Sequence, residues 1–218
     1  MGINHQPSPP LPPWLHWLPD CESTNTWAIA NATTLQPGDW VWTDCQTAGR
    51  GQQGRHWYAP PGVLTASLVL ADLPLAGGSV AFGQVVLGVL RQHMPNLAVK
   101  LKWPNDLVVG QRKLAGILCE RRGRYTIAGL GLNYQADFRA YSRAQIGQPI
   151  SLHECVSHVI APLDLLTLIR AQALQGLVCA VTPDSDALWG QALTVQIATE
   201  AGAAVIGGVG QALMPKVG

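Results

Sequence analysis

The sequence predicts an α+β domain: an antiparallel or mixed sheet with helices packed against it. Three observations predict it. Between residues 99 and 133 four short apolar stretches are separated by turn residues at hairpin-like spacing. Two longer stretches carry helical periodicity: Val80, Phe82, Val85, Val86, Val89 and Leu90 within 79–93, and leucines 163, 165, 166, 168, 174 and 177 within 162–181. Hydrophobic residues make up 48% of the chain and charged residues 12%, enough to bury a sizeable core.

The elements follow in order. Residues 1–14 are rich in proline and polar groups and read as an irregular leader. Ser23 or Thr24 can cap a short helix that carries Trp27, Ala28, Ile29 and Ala30. Trp40 to Thr43 is a strand leading into a glycine-punctuated polar loop, Gln46 to Arg55, and Val63 to Leu70 is a buried strand. Strands are expected over 99–103, 107–109, 114–120 and 125–132, with Pro104 ending the first. Two strand-like pieces, 192–197 and 203–206, fall in a short C-terminal β-region over 187–218. Residues 15–186 form the main domain.

Composition narrows the function. A net charge of +1 argues against a general nucleic-acid binder. Five widely spaced cysteines without a CxxC argue against a disulfide framework or zinc site and for reduced thiols in the cytoplasm. The N-terminus lacks a secretory pattern, Gln6 stands where myristoylation needs Ser or Thr, and no apolar run reaches the roughly 18 residues of a membrane span.

Four segments set polar or cationic groups beside apolar strands. In the loop from Gln46 to Arg55, glycines 49, 51 and 54 let the backbone approach a ligand, and Arg50 and Arg55 suit a carboxylate or phosphate. The loop is neither a Walker A nor a Rossmann fingerprint. In Lys100-Leu101-Lys102-Trp103-Pro104-Asn105-Asp106-Leu107, alternation puts both lysines on one strand face and Asn105 and Asp106 at its rim. Lys113 stands just ahead of an apolar strand containing Gly116, where close approach of a ligand or backbone is expected. In Gly129-Leu130-Gly131-Leu132-Asn133 the glycines leave room above the sheet for a flat ligand.

In this order, and together with Ser23-Thr24-Asn25, Trp57 and Lys113-Leu114-Ala115-Gly116-Ile117-Leu118, these segments resemble the catalytic domain of the biotin–protein ligase family. The resemblance covers roughly residues 15–185. It implies a mixed sheet with helices on one face, of the class II synthetase and biotin ligase type, followed by a small SH3-like barrel, complete or reduced. It implies an ATP-dependent ligase in two half-reactions: biotin's carboxylate attacks the α-phosphorus of Mg·ATP, giving biotinyl-5′-AMP and pyrophosphate. A lysine of a biotin carboxyl carrier protein, the biotinyl domain of a carboxylase, then takes the biotinyl group and AMP leaves.

Carried over residue by residue, the resemblance assigns Ser23, Thr24, Asn25, Gln46, Arg50, Gly51, Gln52, Lys113 and Gly116 to biotin. It assigns Arg50, Arg55, Trp57, Lys102, Asn105 and Asn133 to ATP or the adenylate. Lys113, Arg50, Arg55 and Asp106 are the catalytic expectation, with Asp106 orienting or deprotonating the incoming amine. No residue is expected to ligate a metal directly; Mg2+ comes with ATP. Two departures stand out. Gln52 replaces an arginine that in the family helps retain the adenylate, and the C-terminal region is shorter than the family barrel. The first 20 residues cannot hold a helix-turn-helix domain, so no repressor function and no DNA partner are expected. A homodimer through an edge strand stays open, as do two rival readings: a lipoate ligase or octanoyltransferase of the same superfamily, and a noncatalytic biotin-binding regulator.

Overall fold

The computed structural model describes residues 10–175 and, beyond them, the backbone of three strands within 178–208. Most of the expected leader lies outside the described residues.

The chain begins with β1 (Leu15–Cys21), α1 (Thr24–Ala30), β2 (Trp40–Gln46), β3 (Val63–Ala71) and α2 (Gly78–His93). It continues with β4 (Val99–Lys102), β5 (Asp106–Val109), β6 (Arg112–Arg122) and β7 (Tyr125–Asn133), then two one-turn helices, α3 (Arg143–Ile146) and α4 (Leu152–Cys155), and α5 (Pro162–Leu174). The seven strands form one mixed sheet in the order β1-β2-β3-β7-β6-β5-β4. β1 pairs parallel with β2, and the other neighbours are antiparallel, as the hairpin spacing predicts.

Alternation along each strand divides the residues between the two faces. Leu64, Ala66, Leu68 and Leu70 of β3, with Leu130 and Leu132 of β7, join Phe82, Val86 and Leu90 of α2 and Leu165, Leu166 and Ile169 of α5 in the main core. The Trp40 indole N–H donates to the Leu166 carbonyl at 3.1 Å, tying α5 to the sheet. Gly83 lets α2 approach closely, since a Cβ there would stand 2.9 Å from Leu101 Cδ1. The two long helices therefore share one face, as expected. The short α1 packs on the opposite face, where Ala28 joins Leu35, Val41, Val69 and Ile127 in a smaller cluster. Ser23 is its cap: the Ser23 side chain accepts the Thr26 N–H at 3.4 Å.

The helix expected over 162–181 ends at Leu174, and 178–183 forms a strand instead. Gly176 and the β-branched Val178, Val181 and Thr182 account for the change, since both disfavour continuing a helix. This strand, β8 (Val178–Pro183), pairs with β9 (Leu193–Thr199), which pairs with β10 (Gly202–Gly208), all antiparallel. β9 and β10 coincide with the two strand-like pieces read from the sequence.

Candidate active site

The sheet face not covered by α2 and α5 holds a cavity of about 640 Å³. Its floor is built from β6 and β7 at Gly116, Gly129 and Gly131. The space above these glycines is filled by the protein itself. A Cβ on Gly131 would overlap Trp57 Cε2 and Cζ2, and one on Gly116 would sit 3.0 Å from Trp57 Cζ3. A Cβ on Gly129 would overlap Asn25 Oδ1. The flat group expected over the glycines is thus the Trp57 indole, which leaves a ligand to bind beside it.

The loop after β2 folds back on itself. Gly51 N–H donates to the Arg55 carbonyl at 2.7 Å and Trp57 N–H to the Gly49 carbonyl at 2.9 Å. The turn between them is a short 3-10 segment, Gln52–Gly54, with Gln53 at φ 58° and Gly54 at φ 71°. Glycine supplies that left-handed conformation at Gly54 without strain. The Gly51 amide is spent on closing the loop. The fold-back carries Trp57 onto the sheet and leaves Arg50, Gln52 and Arg55 along the cavity.

One end of the cavity is polar. Thr24 N–H donates to Gln46 Oε1 at 3.0 Å. Ser67 Oγ lies 2.7 Å from Thr24 Oγ1 and 2.6 Å from Asn25 Oδ1. Asn25 Nδ2 donates to the Leu118 carbonyl at 3.0 Å and to Glu120 Oε2 at 2.8 Å. Ser23, Thr24, Asn25 and Ser67 are all buried. A buried network of this kind persists because an unmade hydrogen bond there costs about 1–3 kcal/mol.

The other end is charged. Lys113 Nζ stands 2.7 Å from Asp106 Oδ1, a close charge contact without the alignment of a hydrogen bond, and 5.3 Å from the centre of the Trp57 ring. The Lys113 backbone is pinned on both sides: its N–H donates to the Gln148 carbonyl at 2.7 Å, and its carbonyl accepts from Ile150 N–H and from Asn133 Nδ2, each at 2.9 Å. Asn105 Nδ2 likewise donates to the Ile117 carbonyl at 3.0 Å. Asn105 and Asn133 therefore line the cavity while holding β6 in place. Arg50 Nη2 reaches Glu120 Oε2 at 2.9 Å and Thr26 Oγ1 at 3.1 Å. Among the described residues Arg55 pairs with no carboxylate. Three cations thus face two carboxylates, Asp106 and Glu120, leaving the cavity net cationic.

Of the residues expected from the sequence, Ser23, Thr24, Asn25, Gln46, Arg50, Gly51, Gln52, Arg55, Trp57, Asn105, Asp106, Lys113, Gly116 and Asn133 all line this one cavity. Lys102 does not; it is exposed at the end of β4. The sequence reading missed Ser67 and Glu120, and also His56, Tyr58, Phe138 and the 144–149 segment along the rim. Two signals for the first pair exist: Thr65 and Ser67 share the non-leucine face of β3, and Glu120 follows Gly116 and Leu118 on one face of β6. The rim segment carries no periodicity and reaches the site through the Lys113 bridge to Pro149.

Burial pushes the Cys119 thiol up to about 12, and its Sγ faces Gly78 of α2. It packs on the helix side and has no part in the cavity. Among the described residues no group of three His, Cys, Asp or Glu could hold a metal ion, and no helix is long and apolar enough to cross a membrane.

Known proteins resemble this chain in sequence and fold. Residues 17–135 match the model of the biotin/lipoate A/B protein ligase family. The biotin–[acetyl-CoA-carboxylase] ligase of Paracoccus denitrificans is 31% identical over 164 residues, 68% of this chain and 66% of that protein. The bifunctional ligase/repressor BirA of Escherichia coli is 38% identical over 126 residues, 53% of this chain and 39% of that protein. The chain thus spans less than two thirds of these relatives. The biotin protein ligase from Aquifex aeolicus, solved in complex with biotin and ATP, shares the fold with a TM-score of 0.63 at 21% identity, over 89% of this chain and 96% of that one. By its sequence and by the mixed sheet that carries its cavity, the chain belongs to the biotin/lipoate A/B protein ligase family.

Proposed function

We propose that the chain is a biotin–protein ligase, which joins biotin to AMP and then to a lysine of a carboxylase biotinyl domain. The observation that carries this reading is the polarity of this cavity: a buried, neutral hydrogen-bonding end and a cationic end, on one sheet face. The neutral end, Thr24, Asn25, Gln46 and Ser67, suits a ureido ring, whose N–H and carbonyl groups need partners of both kinds. Leu118, in phase with Gly116 on β6, belongs to the wall beside it, where the bicyclic ring and valeryl chain would lie.

At the cationic end a carboxylate must meet a phosphate. Lys113 and Arg55 offset their repulsion and the charge that grows at the α-phosphorus. Asp106 keeps Lys113 in place before ligand arrives; afterwards its carboxylate can accept a proton from the carrier's lysine, whose free pKa of about 10.4 leaves it protonated at neutral pH. Trp57 borders the reacting end, and Asn105 and Asn133 face the nucleotide. Mg2+ comes with ATP, screening its phosphate oxygens. Gln52, lacking charge, holds the adenylate less firmly than an arginine would. The C-terminal sheet is read as the small SH3-like region, and the protein as cytoplasmic.

ATP–pyrophosphate exchange tests the reading against its rivals. Exchange with biotin, and neither with lipoate nor with octanoate, is the expected result. Exchange with lipoate alone selects the lipoate ligase, and no exchange with any acid excludes both ligases in favour of an acyltransferase, which needs no adenylate, or a binding protein.

A further inference from the structure

Glu120 lies outside every role assigned so far, yet one of its oxygens, Oε2, meets both the polar end of the cavity and the glycine loop. The Asn25 amide has two N–H donors, and both are spent, on Leu118 O and Glu120 Oε2. The reverse orientation would set Asn25 Oδ1 against a carbonyl and a carboxylate, so Glu120 and the Leu118 carbonyl together fix which way the amide points. Oδ1 must then accept from Ser67 Oγ. A hydroxyl has one proton, so Ser67 cannot donate both to Asn25 and to Thr24, 2.7 Å away; the Thr24 hydroxyl then donates to Ser67 in preference to Gln46 Oε1, 3.4 Å away. Ser67 is left with acceptor capacity alone. The donor and acceptor pattern of the buried end thus descends from a backbone carbonyl and, at its edge, the one side chain that shares the task, Glu120.

The same oxygen holds Arg50 at the rim. The Arg50 and Glu120 side chains are 46% and 23% exposed, and an ion pair so placed adds little stability. Its consequence is positional: it ties the glycine loop to β6 across α1, where Arg50 also meets Thr26.

We propose that Glu120 is a positioning residue for the ligand's neutral head group, setting the hydrogen-bond polarity of Asn25 and Ser67 and anchoring Arg50. The inference rests on the ligase reading of the cavity. Glu120 touches no reacting atom, so its removal weakens capture of the acid substrate more than turnover.

The test is biotin-dependent ATP–pyrophosphate exchange by wild type, Glu120→Met, Glu120→Ala and Glu120→Gln, with melting temperature measured for each. Met and Ala both delete the acceptor, one keeping the volume, so a single folded variant of the two suffices. The expected result is a KM for biotin raised on the order of 10-fold in these two, as for loss of one buried hydrogen-bond partner. Their KM for ATP and kcat at saturating biotin change less than the KM for biotin, since Arg50 loses its anchor and not its charge. Gln keeps a carbonyl oxygen for Asn25 and recovers most of the biotin KM, although it lacks the charge for Arg50. An unchanged biotin KM in Met and Ala, a fall confined to kcat, or a Gln variant no better than Ala would overturn the role of Glu120. Wild type that shows no biotin-dependent exchange would overturn the ligase reading, and this inference with it.

Discussion

The two faces of the same three strands differ in almost every residue. Towards α2 and α5, β3, β6 and β7 present Leu64, Leu68, Ile117, Leu130 and Leu132, buried and packed together. Towards the cavity they present Thr65, Ser67, Gly116, Glu120, Gly129, Gly131 and Asn133. One face buries apolar area; the other omits side chains or supplies polar ones so that Trp57, Asn25 and Lys113 can lie against the sheet. A period of two lets a single strand carry stability and chemistry side by side, each free to change without the other.

Adjacent substitutions on β7 are the strongest way to break that division. Leu132→Ala, on the helix face, should destabilise the fold by about 2–5 kcal/mol, as for other buried leucines, while each folded molecule keeps near-normal exchange activity. Gly131→Ala, one residue away, should displace the Trp57 indole and lower exchange on the order of 100-fold with a smaller loss of stability. Melting curves and exchange rates on the two variants measure both. Equal loss of activity in both would mean that the faces are not separable.

A smaller effect sharpens the same contrast. Cys119 is held protonated by burial on the helix side, while the unfolded chain ionises it near the ordinary value of 9.0. The unfolded state therefore binds fewer protons above that pH, and the thiol's contribution to stability is lost as pH rises from 9 towards 12. Denaturation at pH 8 and pH 10 should show a steeper decline for wild type than for Cys119→Ala. Parallel slopes would place the thiol in a wetter setting than the core.

Much of this arrangement was legible in the sequence, for reasons particular residues make clear. Strands 63–71 and 125–133 could be read because alternating leucines leave a period-two trace, and α2 because its valines recur at helical spacing. The cavity residues could be read because glycine, arginine and lysine interrupt apolar strands. What the glycines accommodate could not be read: Trp57 is distant from Gly131 in sequence, and only the fold-back of the loop brings them together. Ser67 and Glu120 escaped because neither stands in a motif: Ser67 sits near Thr65 in an otherwise apolar strand and Glu120 precedes two arginines at the end of β6. The meaning of each depends on Asn25, which α1 delivers from elsewhere. The 144–149 rim has no periodicity, and its position follows from backbone bonds to Lys113. The end of α5 was missed because the leucine spacing runs on past Leu174.

The account depends most on Lys113 acting at the cationic end of one cavity. Formation of biotinyl-AMP in a single turnover, measured by quenching wild type and Lys113→Ala after mixing with biotin and ATP, addresses that directly. The account predicts one equivalent of adenylate on the wild-type protein, and formation slowed by about 100-fold or more in a variant that melts normally. Adenylate formed by Lys113→Ala at the wild-type rate would contradict it.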